Sequence, residues 1–197
     1  MTTLAVVIIG IAFALVIMMY WRRGPLPPDC GVHCGVERWS VKTFSDKDEK
    51  CVNLEPRETT VLWLTSQEPP ARLPENNRVP SVECNVWKVT ARLIAYKSEE
   101  DDNDYHLVLQ DLDSDATMIA EIPDSACAAV CSSSRRVQFE KARETFSTAF
   151  GTPTPKLRRL TKVAIITVTG VGFFDRLHRQ TGVAANGVEI HPVLKLE

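Results

Sequence analysis

Two short motifs of this chain place a histidine close to a carboxylate. Glu189 and His191 are two residues apart in a β-branched segment, and Asp104 stands just before the segment that holds His106. Residues two apart in a strand point to the same face. Imidazole and carboxylate groups are ligands for divalent transition metals, and the same pair can act as a general base. These motifs are the first place to look for chemistry.

Further polar residues extend this set. Glu121 lies in a segment that follows His106, and the polar stretch DRLHRQTGVAANG connects two later apolar segments. We expect a ligand face formed by Asp104, His106, Glu121, Asp175, His178, Asn186, Glu189 and His191. The candidate metal ligands are His106, Glu121, Glu189 and His191. A structural role stays open, since His106 beside Asp104 can simply end a strand and Asn186-Gly187 is a turn signal.

Hydrophobic periodicity predicts the elements that position these residues. The expected strands are Val86–Tyr96, His106–Asp111, Thr117–Pro123, Val163–Phe174 and Val188–Leu196, and the expected helix is Arg135–Phe150. A glycine kink is expected at Gly170 or Gly172. The order β-β-β-α-β-β predicts a mainly β fold with one helix, a five-stranded OB-like Greek-key barrel. A small α+β sandwich is the alternative.

Strand alternation then predicts which side chains face the core. If Leu107, Leu109, Met118, Ala120, Ile122, Ile190 and Leu194 point inward, the opposite residues point outward. His106, Glu121, Glu189 and His191 are therefore expected on the outer surface. The second, third and fifth strands of such a barrel are neighbours, so these four side chains can converge.

The segment before the barrel begins with an apolar run. Leu4–Trp21 contains no charged residue, and its length nearly spans the ~30 Å hydrocarbon layer of a bilayer. We expect residues 1–23 to be a single-pass transmembrane anchor or a signal segment, residues 24–80 a linker and irregular extension, and residues 81–197 the barrel. Arg22 and Arg23 favour a cytoplasmic domain by the positive-inside rule.

Cysteine usage favours the opposite side of the membrane. The chain has six cysteines, an even number that suits disulfides in an oxidising compartment. Cys30 and Cys34 form one pair by spacing, and Cys127 and Cys131 form another. These four are expected to form disulfides if the domain is exported, or a thiol cluster that binds a metal.

Several longer motifs carry a family resemblance. The stretches ERWSVKT, NNRVPSVE, NDYHLVLQD, TMIAEIPDSAC and VTGVGFFDRLHRQTGVAANGVEIHPVL cover much of the chain from Glu37 to Leu194. They resemble an uncharacterised family of bacterial exported or anchored OB-fold-like proteins. The resemblance implies export or membrane attachment and implies no particular reaction.

Composition restricts the partners. A net charge of −2 gives no general attraction to nucleic acid, and the acidic loop Glu99–Asp104 would line one wall of a nucleic-acid groove. Nucleic acid is therefore a disfavoured partner. The leading hypothesis is a membrane-anchored OB-like domain that binds a protein or small ligand on the barrel face. The alternative is a metal-assisted hydrolase of phosphodiesterase or nuclease type, with a divalent metal as its cofactor.

Overall fold

The structure is a computed structural model that describes residues 30–31, 34–177 and 180–197 of the chain. The chain divides into two units, Met1–Cys30 and Gly31–Glu197, and only Cys30 of the first unit is described. The predicted anchor or signal segment, residues 1–23, lies outside the described residues, as does His178. Within the described ranges, no helix has the length and apolar character needed to cross a membrane.

Six strands and five α-helices make up the described part of the chain, which is mainly β as predicted. In order, the elements are α1 (Trp39–Lys42), β1 (Asn53–Thr59), α2 (Val61–Thr65), α3 (Pro80–Glu83), β2 (Asn85–Ser98), β3 (Tyr105–Gln110), β4 (Thr117–Ile122), α4 (Ala128–Cys131), α5 (Arg136–Phe150), β5 (Arg158–Phe174) and β6 (Val188–Leu196). The expectation of a single helix is wrong. Helices α1 to α4 are four or five residues long, too short for hydrophobic periodicity to reveal them.

The strand pairings return to their starting point. Strand β2 pairs with β3, β3 with β4, β4 with β6, β6 with β5, and β5 with β2 again. All these pairings are antiparallel except β4 with β6, which is parallel. Long strands make this closure feasible, because β2 pairs with β5 over Val86–Tyr96 and with β3 over Arg92–Ser98.

The pairing of β5 with β6 is irregular at the two glycines where a kink was expected. The register between β5 and β6 shifts at Gly170 and again before Gly172. A Cβ atom on Gly170 would lie 2.5 Å from the carbonyl oxygen of Pro192, so only glycine lets the two strands approach this closely.

The main apolar core is formed by residues of these strands together with residues of the helices. Leu107, Leu109, Met118, Ala120, Ile122 and Ile190 belong to it as predicted, with Phe146 of α5 packed among them. The prediction for Leu194 is wrong, since this residue belongs to a second, smaller cluster with Phe44 and Val171. The register shift between β5 and β6 changes the alternation, so Val193 takes the place in the main core.

The segment from Cys34 to Pro80 packs on this sheet. Its strand β1 runs parallel to the start of β2. Disulfides join Cys34 to Cys127 and Cys51 to Cys84, and Cys30 and Cys131 are also disulfide-bonded. The prediction that these cysteines form disulfides is confirmed, but Cys34 bonds to Cys127 and not to the cysteine of its own motif, and the Cys51–Cys84 disulfide was not predicted. The alternative of a metal-binding thiol cluster is wrong because no free cysteine is left to supply a thiolate.

Candidate functional site

The four candidate metal ligands lie together but not on the surface. His106, Glu121, Glu189 and His191 are 0%, 4%, 1% and 0% exposed. Their expected outward position is wrong because other segments cover this face of the sheet. The loop after β5 lies against β3 at Gly182, where a Cβ atom would overlap the side chain of Val108. The segment before β1 also covers this face, since Lys42 of α1 donates a hydrogen bond to Asp175, which follows β5.

One half of the cluster surrounds His106. Strands β3 and β4 place His106 directly opposite Glu121, and the imidazole Nδ1 lies 2.9 Å from Glu121 Oε1. The same Nδ1 is 3.0 Å from Oε1 of Glu99, which follows the end of β2. Lys97 donates to the other oxygen of Glu99 at 2.7 Å. The Nε2 atom of His106 lies 3.2 Å from the carbonyl oxygen of Thr181, an acceptor that fixes the ring orientation.

The other half surrounds His191 and has unsatisfied polar atoms. The ring Nε2 lies 3.2 Å from Asp104 Oδ2, and Nδ1 lies 3.1 Å from Glu121 Oε2. Neither approach has the direction of a hydrogen bond. Among the described residues, both ring nitrogens and Asp104 Oδ2 are therefore buried without a hydrogen-bond partner, and Glu189 Oε2 is a fourth such atom. Buried polar atoms are satisfied in most proteins, so four orphans in one cluster require an explanation.

The electrostatics of the cluster reflect an excess of carboxylates. Burial raises the pKa of Asp104 to about 7, and burial together with the charge of Glu121 raises the pKa of Glu189 to about 8. Burial opposes ionisation of Glu121 as well, but contacts with His106 and His191 hold its pKa well below the usual range. Glu121 is thus the carboxylate that remains charged at the centre of the cluster.

Both histidines have pKa values that favour the protonated form in the absence of another cation. Burial alone would lower the pKa of His106, but its contacts with Glu121 and Glu99 raise it to about 10. For His191, burial is likewise outweighed by Asp104 and Glu121, and the pKa rises to about 9. The carboxylates therefore attract positive charge at both imidazoles.

A pocket of about 800 Å³ opens onto one side of the cluster. Its lining includes Glu121, Glu99 and Asp175, and Lys42 is the one lysine among its lining residues within the described ranges. Lys42 donates to Asp175 Oδ2 at 2.9 Å. The remaining acids of the lining are Glu37, Glu100, Asp101 and Asp102. Such a pocket attracts cations and repels anions unless the acids are neutralised.

Two further residues of the predicted ligand face, Asp175 and Asn186, differ in their position relative to the pocket. Asp175 lines the pocket, whereas the Asn186 side chain donates to the carbonyl oxygens of Leu64 and Gln67 and is directed away from it. Sequence reasoning missed Lys42 and Glu99. Lys42 had no signal beyond its charge in an irregular segment, and Glu99 was one acid among several in a polar loop.

Comparisons with known proteins add little to this geometry. No protein-family model matches the chain, and no curated protein matches it. A solved structure from Leishmania major Friedlin, assigned as an aspartyl-tRNA synthetase, shares 11% identity with a TM-score of 0.39. The match covers 74% of this chain and 21% of that one, so this chain spans about a fifth of the length of that protein.

Proposed function

We propose that residues 81–197 form an OB-like Greek-key barrel that binds a divalent transition metal through Asp104, Glu121 and His191. Support for the barrel comes from the strand pairings, which run β2-β3-β4-β6-β5 and back to β2 with one parallel pair. In OB-folds the second and third strands and their adjoining loops form the ligand face. The corresponding strands here, β3 and β4, carry His106 and Glu121.

The observation that carries the proposal is the group of unsatisfied buried atoms around His191. One nitrogen of His191 and one oxygen each of Asp104 and Glu121 all lie within 4.8 Å of one another. Ligands about 2.1 Å from a metal are about 3.0–3.4 Å apart in tetrahedral or octahedral geometry. Only one ring nitrogen of His191 can bind the ion. The 3.1 Å separation of Nδ1 and Glu121 Oε2 fits the expected spacing, and Asp104 Oδ2, which lies 3.2 Å from the other ring nitrogen, belongs to the same group within 4.8 Å. Neither contact has the direction of a hydrogen bond.

The donor set also indicates which metals to test. Imidazole with carboxylates suits Zn²⁺, Mn²⁺ and Fe²⁺, whereas Ca²⁺ and Mg²⁺ prefer oxygen ligands alone. Asp104 has further support, since its Oδ1 accepts from the backbone N–H of Asp124 at 2.8 Å and its Oδ2 stays available. Such a hydrogen bond orients a ligating carboxylate.

Metal content and thermal stability test the proposal. The full chain purified in detergent is expected to bind Zn²⁺ or Mn²⁺, and metal at about 100 times its dissociation constant adds about 2.7 kcal/mol of stability. For a domain of this size that raises Tm by about 5–10 °C. His191→Gln and Asp104→Asn are expected to lose this increase, and the matched control Asp113→Asn, an exposed change outside the pocket lining, is expected to keep it. A wild-type chain with neither bound metal nor a Tm increase would contradict the proposal.

A metal-assisted hydrolase is the second candidate function. The observation that favours it is that Glu121 contacts both histidines and also lines the pocket, so a bound metal would be accessible to a small molecule. A metal with an open position activates water for attack. Hydrolysis of bis(p-nitrophenyl) phosphate or single-stranded DNA that requires metal and is lost in His191→Gln supports this function. Metal binding without hydrolysis of either substrate would contradict the hydrolase function and would support a domain that only binds metal.

Export and membrane attachment belong to the same proposal. Disulfides persist in oxidising compartments, so the oxidised cysteines support an exported domain. The apolar run Leu4–Trp21 supports a single-pass anchor, and the motifs from Glu37 to Leu194 support membership of the bacterial exported family. Protease added to intact cells is expected to cleave the barrel, because an exported domain lies outside the membrane.

A further inference from the structure

We infer that the cluster binds two metal ions bridged by the Glu121 carboxylate, the second one held by Glu99 and His106. This inference rests on the proposed metal function and extends it from one ion to two. Glu99 has no part in the first site, and its position beside His106 becomes visible only in the folded chain.

The first argument is the position of Glu121 between two ligand sets. Its Oε1 faces Nδ1 of His106 at 2.9 Å, and its Oε2 faces Nδ1 of His191 at 3.1 Å. Each oxygen therefore belongs to a separate group of one histidine and a second carboxylate. Ligand atoms of Glu99, His106 and Glu121 lie within 4.8 Å of one another, as do those of Asp104, Glu121 and His191. A carboxylate that shares its two oxygens in this way can bridge a two-metal site.

The second argument is the arrangement around His106. A ligating histidine usually donates its other ring N–H to a carbonyl or carboxylate, which fixes the tautomer. His106 has this arrangement, because Nε2–H donates to the Thr181 carbonyl at 3.2 Å and Nδ1 faces the two glutamates. The Oε1 atom of Glu99 is buried and accepts no hydrogen bond from any part of the chain that the structure describes, while Lys97 donates to its Oε2. A metal ion would occupy the position between these groups in place of the proton on Nδ1.

The third argument is charge. Glu37 of the pocket lining pairs with Arg176, and Glu100 and Asp101 are exposed. Six further carboxylates belong to the cluster or to the pocket lining, and two lysines, Lys42 and Lys97, pair with two of them: Glu99, Asp102, Asp104, Glu121, Asp175 and Glu189. Metal ligands bind in their deprotonated forms. In that state, with every carboxylate ionised and both imidazoles neutral, the groups carry four net negative charges, and one divalent ion would balance only half of them. Two divalent ions would balance the cluster. The pocket could then accept an anionic substrate that its acids would otherwise repel.

Metal stoichiometry and electron paramagnetic resonance of the Mn²⁺-loaded full chain test this inference. The wild type is expected to bind two ions per chain and to show an exchange-coupled signal. Glu99→Gln is expected to bind one ion and to show the signal of isolated Mn²⁺. Glu99→Asp, which keeps the charge but shortens the side chain, serves as a second variant with the same expectation. Glu68→Gln alters an exposed acid outside the pocket lining and is expected to behave as the wild type.

The outcomes separate the two levels of the proposal. A wild type that binds no metal overturns the proposed function. One that binds a single ion, unchanged by Glu99→Gln, overturns only the bridged pair. Two ions without exchange coupling overturn the bridging role of Glu121. Circular dichroism of each variant shows whether a loss of metal reflects a loss of fold.

Discussion

Two clusters of buried charge in this fold differ in whether their polar atoms are satisfied. Glu83 is 0% exposed, and each of its two carboxylate oxygens accepts two hydrogen bonds, four in all. Two of these come from the guanidinium of Arg38 at 2.7 and 2.8 Å, and the others come from the backbone N–H groups of Phe174 and Val79. The cluster around His191 is equally buried but has four unpartnered atoms.

This difference shows that burial of charge does not by itself indicate function. The Arg38–Glu83 pair joins the segment before β1 to the ends of α3 and β5. Its carboxylate has no capacity left for a cation, and its one orphan among the described residues, Arg38 Nε, is a donor that cannot bind a metal. The His191 cluster has that capacity. A buried charge is costly unless it is paired and hydrogen-bonded, so an unsatisfied cluster persists in a fold only with compensation from elsewhere.

The largest effect is expected from breaking the satisfied cluster. Arg38→Met leaves Glu83 as a buried carboxylate without its cation, and we expect a loss of about 3–5 kcal/mol in the free energy of unfolding. Denaturant titration of the full chain, followed by tryptophan fluorescence, measures this loss. The double variant Arg38→Met/Glu83→Gln serves as the control and is expected to recover part of the loss, since it removes the unpaired charge. A loss below about 1 kcal/mol in the single variant would show that the pair is not important for stability.

A substitution in the unsatisfied cluster around His191 is expected to change the free energy of unfolding in the opposite direction. Glu189→Gln removes a carboxylate that burial and the charges of Glu121 and Asp175 disfavour. In metal-free protein at mildly alkaline pH we expect the free energy of unfolding to rise by about 1 kcal/mol. The same titration in the presence of a chelator measures it. Lys195→Gln, an exposed change on the same strand, is the matched control and is expected to have no effect. Destabilisation by Glu189→Gln would mean that this glutamate, like Glu83, is satisfied in the folded protein.

Much of the sheet could be predicted because its local pattern and its environment agree. Strands β3 and β4 separate Leu107 and Ala120 from His106 and Glu121 by simple alternation, and the structure keeps these two sets on opposite faces. The assumption that one face is solvated was the error. Val108 and Ile119 lie on that second face and are fully buried, and apolar residues on both faces of a strand are a sign that both are covered.

The covering segment could not be predicted for a different reason. Arg38, Lys42 and Arg78 are typical of a solvated region, yet all three are buried and paired with Glu83, Asp175 and Asp46. Periodicity detects apolar faces, and much of the attachment of this segment comes from ion pairs and disulfides, whose partners are 32 to 133 residues away in the chain. Glu99 was missed in the same way, because its role depends on His106 across a strand pair.

The smallest effect is expected at an exposed ion pair with similar geometry. Lys88 on β2 and Glu58 on β1 are opposite each other, with Lys88 Nζ 3.1 Å from Glu58 Oε1. Their side chains are 38% and 80% exposed, respectively. Distance alone does not distinguish this pair from Arg38–Glu83, but water solvates the charges of Lys88 and Glu58 once they are separated. Glu58→Gln is therefore expected to change the free energy of unfolding by less than about 0.5 kcal/mol, and added salt should reduce even this difference. Denaturant titration at low and high salt measures both effects. A salt-independent loss above about 1 kcal/mol would show that exposure does not separate weak ion pairs from strong ones in this fold.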